Sequence, residues 1–130
     1  YNTVGLEDGL VVGAHNTTKD GNSTYHPKTS AIIGKKNTIT SSKCESMLIV
    51  GENHGGSLKP ITGKDGLVVG NGCGNTATAS GVIGLGSVSG NYSLATGSAV
   101  VSGSNSLGAG SSDVSGNYSL SAGYSTKATA

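Results

Sequence analysis

Short apolar runs that end in glycine recur along the chain and predict its organisation. The clearest are residues 93–97, 106–110 and 119–123, whose final glycines lie 13 residues apart. Runs of the same form end at five earlier glycines: Gly13, Gly34, Gly51, Gly70 and Gly84. Eight copies in 130 residues are typical of a repeat protein in which one structural unit stacks on the next.

Alternation within these runs predicts short strands with two apolar faces. Successive side chains of a strand point to opposite sides, so the residues one and three before each glycine share a face. The residue between them faces the other way; this middle position holds Val11, Ile32, Ile49, Val68, Val82, Ala95, Gly108 and Ser121. Because both faces are apolar over much of the chain, we expect one inside the coil and the other against a second subunit.

A second apolar column predicts another strand in each coil. Val88, Val101 and Val114 repeat at the same 13-residue spacing, with glycines two residues after each. Glycine at such short intervals disfavours helix, and no apolar stripe of 3.6-residue period is present. The predicted fold is all-β: a parallel β-roll, or β-solenoid, with coils of about 13 residues stacked about 4.8 Å apart.

The glycine spacing divides the chain into two parts of one continuous domain. Residues 1–70 are predicted to form β-roll coils with inserted loops or hairpins, because the intervals there are 21, 17 and 19 residues. The inserted stretches are 14–29 and 52–65, which are polar and rich in turn-forming residues. Residues 71–130 are predicted to form regular coils, and the chain ends within a repeat, as expected of a piece of a longer protein.

The amino-acid composition indicates that a single coil has little apolar surface to bury within itself. Only 34% of the residues are hydrophobic, 23 are glycine, and Trp and Phe are absent. Such chains are often disordered, but a β-favouring triplet before glycine at eight places argues for a fold. A thin coil buries few large side chains, so we expect oligomerisation to supply additional apolar burial.

The charges are few and argue against nucleic acid as a partner. The net charge is +1, all eight cations are Lys, and the five aromatic residues are all Tyr. A nucleic-acid binder is expected to cluster Arg and Lys with interleaved aromatics. No apolar run approaches the length of about 20 residues that spans a bilayer.

No residues are predicted to be catalytic, cofactor-binding or metal-binding. No histidine or carboxylate residue stands at a short, ligand-like sequence spacing from His15, His26 or His54, and all three are interpreted as exposed loop residues. Cys44 and Cys73 also lack a metal-type spacing, and the sequence leaves open whether they form a disulfide.

Two tyrosines occupy equivalent places in the regular coils. Tyr92 and Tyr118 both stand in Gly-Asn-Tyr-Ser-Leu, two coils apart. We interpret them as covering turns or packing against a neighbouring subunit, in preference to binding a ligand.

Residues 75–84 and the three Ser-Leu-x-x-Gly strands resemble the YadA-like head repeats of trimeric autotransporter adhesins. The family strand is Ser-Val-Ala-Ile-Gly-like; here Leu mostly replaces Val, and the Ala-Ile pair becomes Ala-Thr, Gly-Ala or Ser-Ala. The resemblance implies a left-handed, homotrimeric β-roll at the tip of a fibre anchored in a bacterial outer membrane. Generic parallel crossovers have the opposite hand. The family's neck motif and coiled-coil stalk do not occur in this sequence.

The resemblance also implies a non-enzymatic adhesin that attaches to host receptors, such as CEACAM-type glycoproteins, or to matrix proteins, such as collagen and fibronectin. The inserted stretches are the expected contact elements, because loops on a rigid scaffold commonly carry recognition. The predicted receptor-binding residues are Asn16, Lys19, Asp20, Tyr25, His26, Glu52, His54, Leu58 and Lys59. The predicted trimer and coil packing residues are Val11, Ile32, Ile49, Val68, Val82, Leu94, Leu107 and Leu120.

Two other functions fit a solenoid of this composition. An ice-binding or other flat-surface-binding solenoid needs a threonine ladder, for which the candidates are Thr38, Thr40, Thr76 and Thr78. A phage tail-spike or glycan-active solenoid needs clustered acids, which the sequence does not display. Thermal hysteresis and a polysaccharide activity screen separate these functions from adhesion.

Overall fold

The computed structural model describes residues 2, 9–18, 30–39, 44–55 and 59–129, which form a parallel β-solenoid. Every strand pairing among these residues is parallel. The strands are β1 (Leu10–Ala14), β2 (Ala31–Lys35), β3 (Leu48–Glu52), β4 (Leu67–Asn71), β5 (Gly74–Asn75), β6 (Gly81–Gly84), β7 (Ser87–Val88), β8 (Leu94–Gly97), β9 (Val100–Val101), β10 (Leu107–Val114) and β11 (Leu120–Ala128). No helix in this part of the chain is long and apolar enough to cross a membrane.

The main stack of strands confirms the register predicted from the glycines. It runs β1-β2-β3-β4-β6-β8-β10-β11, and in each pair the closing glycine of one coil lies opposite that of the next. The middle residues point into the coil, where Ile32, Ile49, Val68 and Val82 are fully buried. A one-residue slip would turn these side chains outward, so their burial fixes the register.

The second stack confirms the predicted valine column. Asn75, Val88, Val101, Val114 and Ala128 lie opposite one another in successive coils, through β5, β7, β9 and the ends of β10 and β11. The three valines are buried and belong to the same core cluster as the middle residues of the main stack. The core is therefore a narrow column between the two stacks.

Glycine is required where neighbouring coils approach most closely. A Cβ on Gly103 would lie 1.9 Å from the carbonyl oxygen of Gly116 in the next coil. At Gly34, φ is +137°, and a Cβ would lie 1.8 Å from the carbonyl oxygen of Gly51. Any side chain at either position would force the coils apart, which explains why glycine recurs at each of these corners.

The predicted inserted stretches are narrower than 14–29 and 52–65. Thr17 bridges Thr38 in the next coil, so residues up to 18 continue the solenoid. Ile61 is buried and bridges Asn75, and Lys64 bridges residues on both neighbouring coils. Much of 59–65 is therefore regular coil. Residues 19–29, 40–43 and 56–58 lie outside the described residues.

Candidate functional site

The outward side chains of the main stack form a continuous apolar surface, called here the outer face. Its first column is Leu10, Ala31, Leu48, Leu67, Gly81, Leu94, Leu107 and Leu120. Its second column is Val12, Ile33, Val50, Val69, Ile83, Thr96, Ala109 and Ala122. Neither column contains a charged residue, and eight strands at about 4.8 Å spacing make the face about 35 Å long.

The outer face is open to solvent in the single chain. Leu10 is 54% exposed at one end of the face, and Leu120 is 67% exposed at the other. Between them, Leu48 and Ile83 are both 42% exposed. Contiguous exposed apolar surface of this kind marks an interaction site.

The predicted packing residues divide into two groups with different roles. Val11, Ile32, Ile49, Val68 and Val82 point inward; Val11 is half-buried at the end of the stack and the other four are fully buried. Leu94, Leu107 and Leu120 point outward and belong to the outer face. The first group fills the coil, and the second is available to a partner.

Shallow grooves lie along the outer face near both ends. One, of about 450 Å³, is lined by residues that include Leu10, Ala31 and Leu48. The other, of about 490 Å³, runs between Tyr92 and Tyr118 and is floored by the outward leucines of the last coils. The equivalent placement of the two tyrosines is confirmed: both adopt left-handed backbone conformations, with φ of 56° and 55°.

Two of the predicted receptor-binding residues are buried, which corrects their assignment. Asn16 and His54 are each 1% exposed. Both lie three residues after a closing glycine, where the chain turns inward and needs a polar side chain to pair with the backbone of the corner. The prediction that His54 is an exposed loop residue is wrong, whereas His15 is exposed as expected.

Glu52 and Lys59 lie at the surface. Glu52 forms an ion pair with Lys35 of the neighbouring coil at 3.0 Å. The Nζ of Lys59 donates a hydrogen bond to the carbonyl oxygen of Leu85. The remaining predicted contact residues lie outside the described residues: Lys19, Asp20, Tyr25, His26 and Leu58.

A column of polar side chains, called here the inner ladder, joins the coils along one corner. Its members are Asn2, Asn16, Asn37, His54 and Cys73. Asn16 donates from Nδ2 to the carbonyl oxygen of Gly34 at 2.9 Å and accepts the N–H of Asn37 on Oδ1 at 3.2 Å. Asn37 does the same one coil later, donating to Gly51 at 3.0 Å and accepting the N–H of His54 at 3.1 Å.

His54 occupies the next position with an imidazole. Its Nδ1 accepts the backbone N–H of Cys73 at 3.1 Å, and its Nε2 lies 3.1 Å from the carbonyl oxygen of Val50. These partners require the neutral tautomer with the proton on Nε2. Burial lowers the pKa of His54, because it penalises the charged imidazolium more than hydrogen bonds to carbonyl groups stabilise it.

Both cysteines are buried free thiols. Cys73 ends the inner ladder, with its Sγ 3.0 Å from the carbonyl oxygen of Gly84. Burial raises the pKa of Cys73, and it raises the pKa of Cys44 to about 12. Neither thiol is a thiolate at neutral pH, so neither is a reactive nucleophile.

The described residues contain no group of three or more His, Cys, Asp or Glu side chains placed to hold a metal ion. Their most extensive candidate site is therefore the outer face. No family of proteins, curated protein or solved structure was found to match this chain.

Proposed function

We propose that this chain is a YadA-like head of a trimeric autotransporter adhesin, a left-handed β-roll that associates as a homotrimer through its outer face. The observation that carries the proposal is the outer face itself, which is uncharged, largely apolar along the main stack and open in the single chain. A coil this thin has little other apolar surface to bury.

A second and third copy of the chain are the partners that best fit the outer face. Each copy offers a surface of the same length, with leucines repeating at the same coil spacing. Three-fold rotation closes such heterologous contacts into a ring and leaves no copy with an open face. Closed association also protects an apolar sheet from unlimited aggregation.

Receptor binding is assigned to the surface outside the trimer interface. Glu52 and Lys59 lie at the surface. The other predicted contact residues are outside the described part of the chain: Lys19, Asp20, Tyr25, His26 and Leu58. The receptors proposed are host glycoproteins of the CEACAM type or matrix proteins such as collagen and fibronectin. Three identical sites on one rigid head raise avidity without strong single contacts, which suits a non-catalytic head on an outer-membrane-anchored fibre.

The described threonines give no support to the ice-binding alternative, and Thr40 lies outside the described residues. Thr38 bridges Thr17, whereas Thr78 bridges Lys64 in a different column. Thr76 follows the Asn75–Val88 pair and so aligns with Ser89. Three of the described acids, Glu45, Glu52 and Asp113, each form an ion pair with a lysine and so give no support to a glycan-active site.

Binding to immobilised collagen, fibronectin and CEACAM-type glycoprotein tests the function. The expected result is saturable binding that the Tyr25→Ala/Lys59→Ala double variant weakens at least tenfold. Tyr124→Ala/Lys127→Ala is the matched control, with the same residue types changed on the last strand, and it should bind as the wild type does. Absence of binding to all three, or equal loss in both variants, would contradict the proposal.

A further inference from the structure

One position of the inner ladder is chemically unlike those before it. Asn2, Asn16 and Asn37 supply amides, whereas His54 supplies a titratable ring. The hydrogen-bonding roles of Asn16 and His54 are nevertheless the same: in each, an acceptor atom receives the backbone N–H of the next ladder residue, and a donor atom faces the carbonyl oxygen four residues earlier. The coils before β3 are thus joined by groups that do not titrate, and the junction of β3 with β4 by one that does.

We infer that His54 makes the β3–β4 junction the acid-sensitive step of the solenoid. A proton taken up at Nδ1 removes the lone pair that accepts the N–H of Cys73. The imidazolium then presents one N–H to another, and two donors cannot share a hydrogen bond. Exchanging the two ring nitrogens by a ring flip does not help, because both carry hydrogen in the charged form.

Among the described residues, the groups around His54 offer no charge to stabilise the imidazolium. The Cys73 thiol is held against the carbonyl oxygen of Gly84 and is not a thiolate. The neighbouring ladder residue Asn37 is neutral, and the charge that acts on Cys73 is the cation of Lys59. The nearest acid along the chain, Glu52, is engaged at the surface by Lys35 and by the Asn71 side-chain amide.

Burial and hydrogen bonding therefore favour neutral His54 in the folded chain, consistent with the lowered pKa. The unfolded chain binds this proton more tightly, so the contribution of His54 to stability is complete above the unfolded pKa of about 6.5 and is lost as pH falls. Below about pH 6.5 the folding equilibrium constant falls by up to about tenfold per pH unit, until the folded pKa is reached. The inference rests on the fold and does not depend on the proposed adhesin function.

Unfolding in urea at pH 7.5 and pH 5.0 tests the inference with His54→Asn. Asparagine restores the side chain used by the preceding ladder positions, so this variant should keep the fold and lose the acid sensitivity. The wild type should lose more of its folding equilibrium constant than the variant over this range, by up to about thirtyfold. His15→Asn is the control, because His15 is exposed and its φ of 59° suits asparagine; it should follow the wild type. Equal pH dependence in wild type and His54→Asn would overturn the inference.

A measurement on the wild type keeps the test independent of how the variant folds. Nuclear magnetic resonance should show the His54 ring as the Nε2–H tautomer at pH 7.5, with a titration midpoint below 6.5. Acid should lower the protection factor of the Cys73 amide before that of the His54 amide, whose N–H donates to Asn37 Oδ1. A ring that titrates at or above the unperturbed value would refute the inference.

Discussion

Ser93 joins three coils through a single hydroxyl and its own backbone. Its N–H donates to Ser80 Oγ at 3.1 Å, and its Oγ accepts the N–H of Ser106 at 3.0 Å. The same Oγ lies 2.8 Å from the carbonyl oxygen of Gly103, to which it donates its hydrogen. Ser80 and Ser106 repeat this arrangement. At residue scale the coil corners are thus stabilised by short polar side chains buried beside glycine.

Replacing Ser93 with alanine should destabilise the protein by about 2 kcal/mol. The change leaves the Ser106 N–H and the Gly103 carbonyl without the partner they share, and each buried unsatisfied group costs about 1–3 kcal/mol. Denaturant unfolding measures the loss. Ser89→Ala, at an exposed serine of the same coil region, should stay within about 0.5 kcal/mol of the wild type. Equal stability of the two variants would show that the serine ladder contributes little.

The positions of the inner-ladder residues follow a regular spacing in the sequence, although their residue types differ. Asn16, Asn37, His54 and Cys73 all stand three residues after a closing glycine. Their shared offset was enough to place them on the same corner. Amide, imidazole and thiol groups differ in chemistry, and the surrounding residues are polar. For these reasons the sequence predicts Asn16 and His54 to be exposed contact residues. Only the structure shows that these side chains accept the backbone N–H of the next ladder residue.

At the scale of the strands, the register between neighbouring coils follows from residues that repeat at regular intervals in the sequence. Closing glycines, middle-position aliphatics and the valine column all repeat at fixed offsets, and the strand pairings confirm them. Ion pairs add to this agreement: Lys35–Glu52, Glu45–Lys64 and Asp113–Lys127 each join register partners on adjacent coils. The side chains are substantially exposed, so each pair contributes at most about 1 kcal/mol. The irregular intervals before Gly70 obscured which polar residues belong to coils.

Gly103→Ala should lower stability by about 1–3 kcal/mol or more, as overpacking between two backbones does. The new Cβ would lie 1.9 Å from a carbonyl oxygen of the next coil, so the stack must open to admit it. Gly81→Ala is the matched control, because the closest contact of its Cβ would be the flexible end of the Leu94 side chain at 3.0 Å, and its contacts with Leu67 would be ordinary ones at 3.9 Å. It should be neutral or stabilising by about 0.4–1 kcal/mol. A Gly103→Ala variant as stable as Gly81→Ala would contradict the requirement for close coil stacking.

At the scale of the whole molecule, the outer face remains without an intrachain partner in the described residues. The apolar character of both strand faces predicted this, because a single thin coil can cover only one of them. The three outward leucines Leu94, Leu107 and Leu120 are exposed on this face and line the groove between the tyrosines. Association of three chains is the arrangement we propose for covering the face.

Leu107→Asp should abolish association while leaving the coil folded. Leu107 points outward and is 37% exposed, so an aspartate there remains solvated in the single chain but becomes a desolvated charge in the interface. Val100→Asp is the control, because Val100 is 48% exposed on the outer side of the second stack. Light scattering should find Leu107→Asp as single chains and Val100→Asp in the wild-type assembly. Equal masses for the two variants would show that the outer face is not the subunit interface.

The most direct test of the central claim is the mass of the wild-type chain in solution. Sedimentation equilibrium over a range of concentrations should give one species of three times the 12.7 kDa chain mass. A stable species of 12.7 kDa at every concentration would contradict the claim that the outer face joins three copies of this chain.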